Sequence, residues 1–384
     1  MRLSMGFFVN RKFNLVYLHV AMQAFAMHGG EAFVFIYLLK EGIPAPVVLF
    51  CIGAMFASRL FFRNLIFPLV RQFGLKHTLI LSVLVEASTY PILSQINSTG
   101  PLLVAYLTLW AISSSIYWTS YHTYVALLGD NEHRGKQVSA IEFVAMATNI
   151  AAPALSAVLL LAFGPVVTFG FVGLIMACAA IPIWLGPELT VSSDAEVPPA
   201  ARKLARLIMF TDGLRSGSFH FTWVIALFIT LGSSYAAFGG AMSLAGVVGA
   251  VAGLFIGRAF DLGNVKRATQ IGCAALAVAS AARTFGYSIP LTAVIANAAA
   301  TIAWPIYNTA LSARVYILAK QSLSPLRYHV VAEGGWDMGT ATACFISALL
   351  IHLGFGYGPA LGVSLIACAS AYFVLSRMPE HTQT

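Results

Sequence analysis

The chain is 384 residues long; 59% of them are hydrophobic and 9% charged, against roughly 25% charged in soluble proteins. With a mean hydropathy of +0.82, a single soluble core could not hide the apolar surface, so lipid must be the solvent for much of it. The net charge of +8 does not point to nucleic acid, because the cations fall in short loops between apolar segments, a distribution that orients a membrane protein.

An apolar helix crosses the hydrocarbon in about 20 residues. Twelve such segments fit, at 13–39, 45–70, 77–96, 101–128, 137–163, 165–186, 209–232, 235–257, 268–287, 289–318, 328–353 and 357–376. Gly42-Ile43-Pro44, Gly100-Pro101, Gly164-Pro165, Ile289-Pro290 and Gly358-Pro359 punctuate them. The first, Phe13 to Leu39, is longer than the apolar region of a signal peptide, lacks a convincing cleavage site and is followed by more spans, so it reads as a retained helix. The expected fold class is an all-α membrane protein, with twelve transmembrane helices in two pseudo-symmetric six-helix bundles. Residues 1–187 would form the first bundle, 188–208 a cytoplasmic linker and 209–384 the second.

Of the 22 Lys and Arg residues, seventeen lie at the amino terminus, in the even-to-odd loops or at the carboxyl terminus, with Arg215 counted among them. Lys40 and Arg283 fall near the opposite face, and Arg59, Arg63 and Arg314 are within spans. Both termini are therefore expected on the cytoplasmic side. The longest loop, Pro187 to Ile208, holds Ser192-Ser193-Asp194, the Pro198-Pro199 break and the basic stretch Arg202-Lys203-Leu204-Ala205-Arg206. It reads as a flexible linker with an interfacial helix. Other loops are too short for a soluble catalytic domain. The chain carries no Walker A sequence, no HExxH and no convincing nucleophile constellation, so neither enzymatic activity nor a cofactor is expected. Cys51, Cys178, Cys273, Cys344 and Cys368 all fall in apolar segments without CxxC spacing and read as packing residues, with no metal site.

A charge at mid-membrane costs about 2.5–3.5 kcal/mol, so each one needs a reason. Glu31 follows His28-Gly29-Gly30 in the outer half of span 1, and Glu86 lies near the middle of span 3; neither has a cation in its own segment. A desolvated carboxyl can take up and release protons, which makes Glu31, then Glu86 and His28, the proton-coupling candidates. Arg59 and Arg63 share a face of span 2, spaced i, i+4; Glu333 and Asp337 do the same on span 11. The arginines are alternatively an anion site, or snorkel to the headgroups. Polar aromatics gather on spans 4 and 10: Trp118, Tyr121, His122 and Tyr124, then Trp304, Tyr307 and Asn308, with Trp336 beside Asp337. Such rings suit an amphipathic organic solute. Tyr and Trp also form interfacial belts, and both readings stay open.

The chain repeats itself at an offset of 190 residues. Phe67-Pro68-Leu69-Val70-Arg71-Gln72-Phe73-Gly74-Leu75-Lys76-His77 falls opposite Gly257-Arg258-Ala259-Phe260-Asp261-Leu262-Gly263-Asn264-Val265-Lys266-Arg267. Gly42 meets Gly232, and Ile116-Tyr117-Trp118-Thr119 meets Ile306-Tyr307-Asn308-Thr309. A duplicated apolar chain is the pattern of a secondary transporter in which two bundles rock about a central site.

The Gly257–Arg267 segment resembles motif A of the major facilitator superfamily: a Gly, an Asp four residues later and a basic pair, after the second span of a half. The first-half copy is degenerate, with Phe67 for the Gly and Arg71 for the Asp, and no subfamily is identified. The resemblance implies that Asp261 latches one half to the other on the cytoplasmic side, where a solvated turn is the plainer alternative. It also implies that spans 2 and 11 face each other, so that Arg59 and Arg63 oppose Glu333 and Asp337 as an intracellular gate. Glu142 on span 5 and Arg258 on span 8 form a second candidate pair, although capping of the helix start explains Glu142 as well. Span 1 of this family lines the cavity, which favours Glu31 as proton carrier over Glu86. Ala151-Ala152-Pro153-Ala154-Leu155-Ser156-Ala157 looks like a weakened antiporter motif. The expected protein is a monomeric, proton-coupled transporter of a small organic molecule in the inner membrane of a bacterium, leaning to export. An uptake symporter or facilitator is the alternative, and a non-transporting sensor or lipid-handling protein a third reading.

Overall fold

Two breaks in otherwise regular helix set the shape of the first span. Helix α1 (Arg11–Ala26) loosens into a π-turn at Met27–Glu31 and resumes as α2 (Ala32–Lys40). One repeat later, α8 (Pro199–Ser216) loosens into a π-turn at Gly217–Thr222 and resumes as α9 (Trp223–Thr230). The two π-turns are 190 residues apart, the offset read from the sequence. So are the turns that follow them, where Gly42 and Gly232 have φ of +85° and +71°, and the turns at Gly164 and Gly354, with φ of +76° and +83°. A side chain at such a φ meets its own carbonyl, which is why glycine occupies all four.

The structure is a computed structural model and describes residues 11–129, 134–191, 196–259, 265–322 and 324–376. Among these it is all-helical. Between the two π-turn helices lie α3 (Ala45–Phe62), a short 3-10 turn at Arg63–Leu65, α4 (Ile66–Leu93), α5 (Pro101–Leu128), α6 (Arg134–Cys178) and α7 (Ala180–Leu185). After α9 come α10 (Tyr235–Ala259), α11 (Val265–Gly286), α12 (Pro290–Gln321), α13 (Pro325–His352) and α14 (Tyr357–Ser376). Proline opens α5 and α12, where its missing N–H is no loss. At Gly74 in α4 and Gly164 in α6 the backbone leaves the helical region, so each is two helices joined at one residue. A straight helix as long as α6 would run about 67 Å, twice the hydrocarbon thickness.

Seven helical stretches of the described residues are long and apolar enough to cross a membrane. They are Lys12–Lys40, Ala45–Leu93, Pro101–Leu128, Phe143–Leu185, Tyr235–Gly253, Pro290–Asn308 and Tyr357–Ser376. The α8–α9 stretch, α11 and α13 fall outside that set; they hold the buried ionisable groups Asp212, Arg215, Arg283, Glu333 and Asp337.

Contacts between the two parts of the chain run along α3 with α13 and α6 with α10. Phe33 of α2 packs edge-on against Phe238 of α10 at 5.4 Å, and Lys40 lies over the Tyr235 ring. The Ala151–Ala157 segment of α6 is tightly seated. A Cβ on Gly29 would meet Ser156 and Ala152, and one on Gly239 would meet Ala157 and the Pro153 carbonyl.

One sequence expectation needs correction. The basic stretch at Arg202–Arg206 is not a separate interfacial helix. It forms the first turns of α8, which continues unbroken to Ser216, because nothing between Pro199 and Ser216 interrupts helical backbone. Arg215, counted among the loop cations, is consequently a core residue at 3% exposure.

Candidate functional site

Arg63 opens the 3-10 turn that continues α3, with its N–H still bonded to the Arg59 carbonyl, so the two arginines point the same way. Helix α13 presents Glu333 and Asp337 at the same i, i+4 spacing. The side chains meet across the α3–α13 contact. Arg63 Nη2 contacts Asp337 Oδ2, and Arg59 Nε lies 3.1 Å from Asp337 Oδ1. Arg59 Nη2 is 3.9 Å from Glu333 Oε2. Arg63 also donates to the Thr119 hydroxyl of α5 at 2.8 Å and to the Ser115 carbonyl at 3.4 Å. Asp337 is fully buried and both guanidiniums nearly so, at 3% and 2%. Charges taken this far from water hold only if paired. Each guanidinium here has a carboxylate beside it, although Arg59 Nε and Nη2, Arg63 Nε and Asp337 Oδ1 make no hydrogen bond of good geometry.

His122 joins this cluster. Its Nε2 lies 3.6 Å from Glu333 Oε1, and its ring stacks on His329 of α13 at 5.6 Å and on Trp118 at the same distance. Tyr121 instead stacks on Tyr117 at 5.6 Å and packs near His19 of α1. His19 Nδ1 donates to the Ala179 carbonyl, so in the neutral ring Nε2 accepts from the Tyr117 hydroxyl at 2.9 Å. The aromatics of α5 thus divide: Tyr117, Tyr121 and Tyr124 are packed core, while His122 faces Glu333 and His329 of α13, with Trp118 stacked on its ring.

Trp336 links α3 to a second cluster. Its ring packs on Phe56 and lies under the Arg59 guanidinium, while Nε1 donates to Asp212 Oδ2 of α8 at 2.9 Å. Asp212 accepts from Arg215 Nε at 2.8 Å, and Arg215 lies 4.4 Å over Trp304 and 5.7 Å from Tyr307. Trp304 is half-buried and Tyr307 1% exposed. Asn308 accepts from the Ser312 hydroxyl.

Glu31 and Glu86 feel each other's charge and that of Arg59. Glu86 is buried and Glu31 half-buried. His28 is hydrogen-bonded to Thr148 of α6 at 3.1 Å. Its counterpart region on the second π-turn carries His220, exposed although Phe219 and Phe221 on either side are buried. His220 lies within electrostatic reach of His28, Arg215 and Arg283.

Sequence reading missed several of these groups. Asp212 and Arg215 stand i, i+3, a pair signal obscured by reading the cation as a loop charge. Arg283 was placed near the outer face; it is 6% exposed, sandwiched on Phe219 and Trp223, and hydrogen-bonded to the Phe219 carbonyl and to Asn297 Oδ1. His220 had no signal beyond being a histidine in an apolar span. Asp261 lies outside the described residues, as do the side chains of Glu142 and Arg258. No group of three or more His, Cys, Asp or Glu among the described residues is placed to hold a metal.

Long apolar helices with charges buried between the two parts of the chain mark a membrane protein, and the family and folds it matches are those of transporters, not enzymes. The sequence model of the Major Facilitator Superfamily matches residues 16–322, and the chain belongs to that family. In fold it is similar to the human organic anion transporter MFSD10 (TETRAN), with a TM-score of 0.72, 16% identity and coverage of 95% of this chain and 99% of that one. It is also similar to the POT family transporter PepTSo, with a TM-score of 0.62, 14% identity and coverage of 95% and 97%. Comparison with curated proteins finds no sequence match.

Proposed function

We propose that this transporter is a proton-coupled secondary carrier of a small organic molecule, working by alternating access in a cytoplasmic membrane with both termini inside. On this reading the chain makes twelve spans in two bundles, 1–187 and 209–384. Glu31 is the main proton carrier, with Glu86 and His28 behind it. Arg59, Arg63, Glu333 and Asp337 close the cytoplasmic side, and Trp304, Asn308 and Trp336 border the substrate path. The observation that carries the proposal is the position of Arg59. Its charge acts on Glu31 and Glu86, and it lies 3.1 Å from Asp337 of α13. Adding a proton to either glutamate changes the field on the arginine that bridges the two parts of the chain, so proton occupancy and gate strength are linked. The lean to export rests on the Ala151–Ala157 segment pressed against Gly29 and Gly239.

The test starts from a thermal-shift screen of purified protein against metabolites and drugs, since a ligand of the folded state raises stability by RT ln(1 + [L]/Kd). Proteoliposomes are then given that compound and a proton gradient alone. Wild-type protein should accumulate it, with the direction of proton flow separating export from uptake. Glu31→Gln should exchange substrate but not concentrate it. Accumulation by the variant would remove Glu31 as the carrier.

A further inference from the structure

Helix α8 begins in an electrostatically unfavourable way. Its first two turns carry Arg202, Lys203 and Arg206, spaced i, i+1 and i+4, so like charges neighbour one another. They sit at the positive end of the helix dipole, where cations are disfavoured. The first turn holds no acid, and Pro198 provides no side-chain cap. All three are exposed, and no ion pair joins them to an acid among the described residues.

The same residues line a groove of about 320 Å³ between α8 and α13, whose remaining walls are Pro199, Leu207, Phe210 and Met338. Leu207 follows Arg206 directly and Phe210 lies one turn beyond it, so the apolar wall of the groove adjoins its last cation. Leu207 and Met338 are 44% and 42% exposed. The groove's back is closed by direct helix contact, since a Cβ on Gly335 would strike the Arg206 backbone. The continuous stretch from Pro199 to Thr230 is about 48 Å long, about 18 Å more than the hydrocarbon. A helix of that length reaches past the hydrocarbon, and its basic first turns are the end that suits the headgroup layer.

We infer that this groove is a binding seat for one anionic phospholipid, its phosphate held by Arg202, Lys203, Arg206 and the free N–H groups of the α8 amino terminus. An acyl chain lies along Leu207, Phe210 and Met338. The headgroup supplies the negative charge that the helix start lacks. The seat adjoins the gate helix, because Met338 follows Asp337 directly. The inference needs only that the chain spans a membrane and does not rest on proton coupling or on any substrate.

Native mass spectrometry and thermal melts of the purified full chain test it, with phosphatidylglycerol and phosphatidylcholine added separately. Each cation near an anionic surface is worth roughly a fivefold preference. The wild type should retain one phosphatidylglycerol and melt higher with it than with phosphatidylcholine. Arg206→Gln should lose about fivefold of that preference, and Arg202→Gln/Lys203→Gln/Arg206→Gln nearly all of it, with its melt in phosphatidylcholine unchanged. Arg202→Lys/Arg206→Lys should keep most of the preference. Equal lipid selectivity in the wild type and the glutamine variants would overturn the inference. So would loss in the lysine variant, or equal protection of the wild type by soluble glycerol phosphate, which has no acyl chain to cover the apolar wall.

Discussion

The first and second parts of the chain share a backbone and almost none of their buried chemistry. π-Turns at Met27–Glu31 and Gly217–Thr222 recur in register, as do the glycine turns at Gly42 and Gly232 and at Gly164 and Gly354. At the same offset Glu31 meets Phe221, Glu86 meets Leu276, Arg59 and Arg63 meet Gly249 and Gly253, and Glu333 and Asp337 meet Phe143 and Ala147. Asp212, Arg215 and Arg283 fall opposite Met22, Phe25 and Leu93. None of these buried ionisable groups has a charged mate. The first part holds Arg59, Arg63, Glu31 and Glu86, and the second Asp212, Arg215, Arg283, Glu333 and Asp337, at positions that do not correspond. A duplicated scaffold can keep its helix breaks, since they depend on a few backbone positions. Function then needs each buried charge only once, because each extra one costs desolvation.

The most damaging way to probe this asymmetry is Asp337→Ala. Two buried guanidiniums would lose their shared carboxylate, at a cost of about 3–5 kcal/mol, visible as loss of the folded fraction in detergent. The mate substitution Ala147→Ser should stay within about 0.5 kcal/mol, and comparable damage at both sites would break the comparison.

Exchanging the partners sharpens it. Arg63→Ala should separate α3 from α13, with spin-label distances across that contact lengthening on average. Arg63→Asp combined with Asp337→Arg should recover a coupling of about 0.5–3 kcal/mol over the sum of the single changes. Unchanged distances in Arg63→Ala would mean that the ion pair does not hold these helices.

Arg283→Met removes the donor to the Phe219 carbonyl inside the second π-turn and should cost about 1–3 kcal/mol in thermal stability. The mate Leu93→Met has no such bond to lose and should be milder. The smallest effect belongs to the shared backbone. Gly42→Ala and Gly232→Ala meet no atom within 4 Å, so each should cost only the conformational penalty of about 1 kcal/mol. Clearly unequal melts for this pair would show that the two turns are not equivalent.

Much of this architecture was legible in the chain. Apolar length marks spans because hydrocarbon cannot satisfy backbone or charge, and the 190-residue offset reappears in backbone breaks that no hydropathy window detects. The i, i+4 pairs at the end of α3 and on α13 were readable because helical periodicity places them on one face. Arg215 was counted as a loop cation, and the burial of Arg283 went unseen, because a charge in a sequence window lowers apparent hydropathy whether it lies in water or in a core. His122 was grouped with its aromatic neighbours on α5, although its ring stacks on His329 and its Nε2 approaches Glu333. Periodicity determines which residues of a helix share a face, a property of that helix's own 3.6-residue turn. Which face of a distant helix lies opposite, and so which charges pair across 274 residues from Arg63 to Asp337, is decided only by packing.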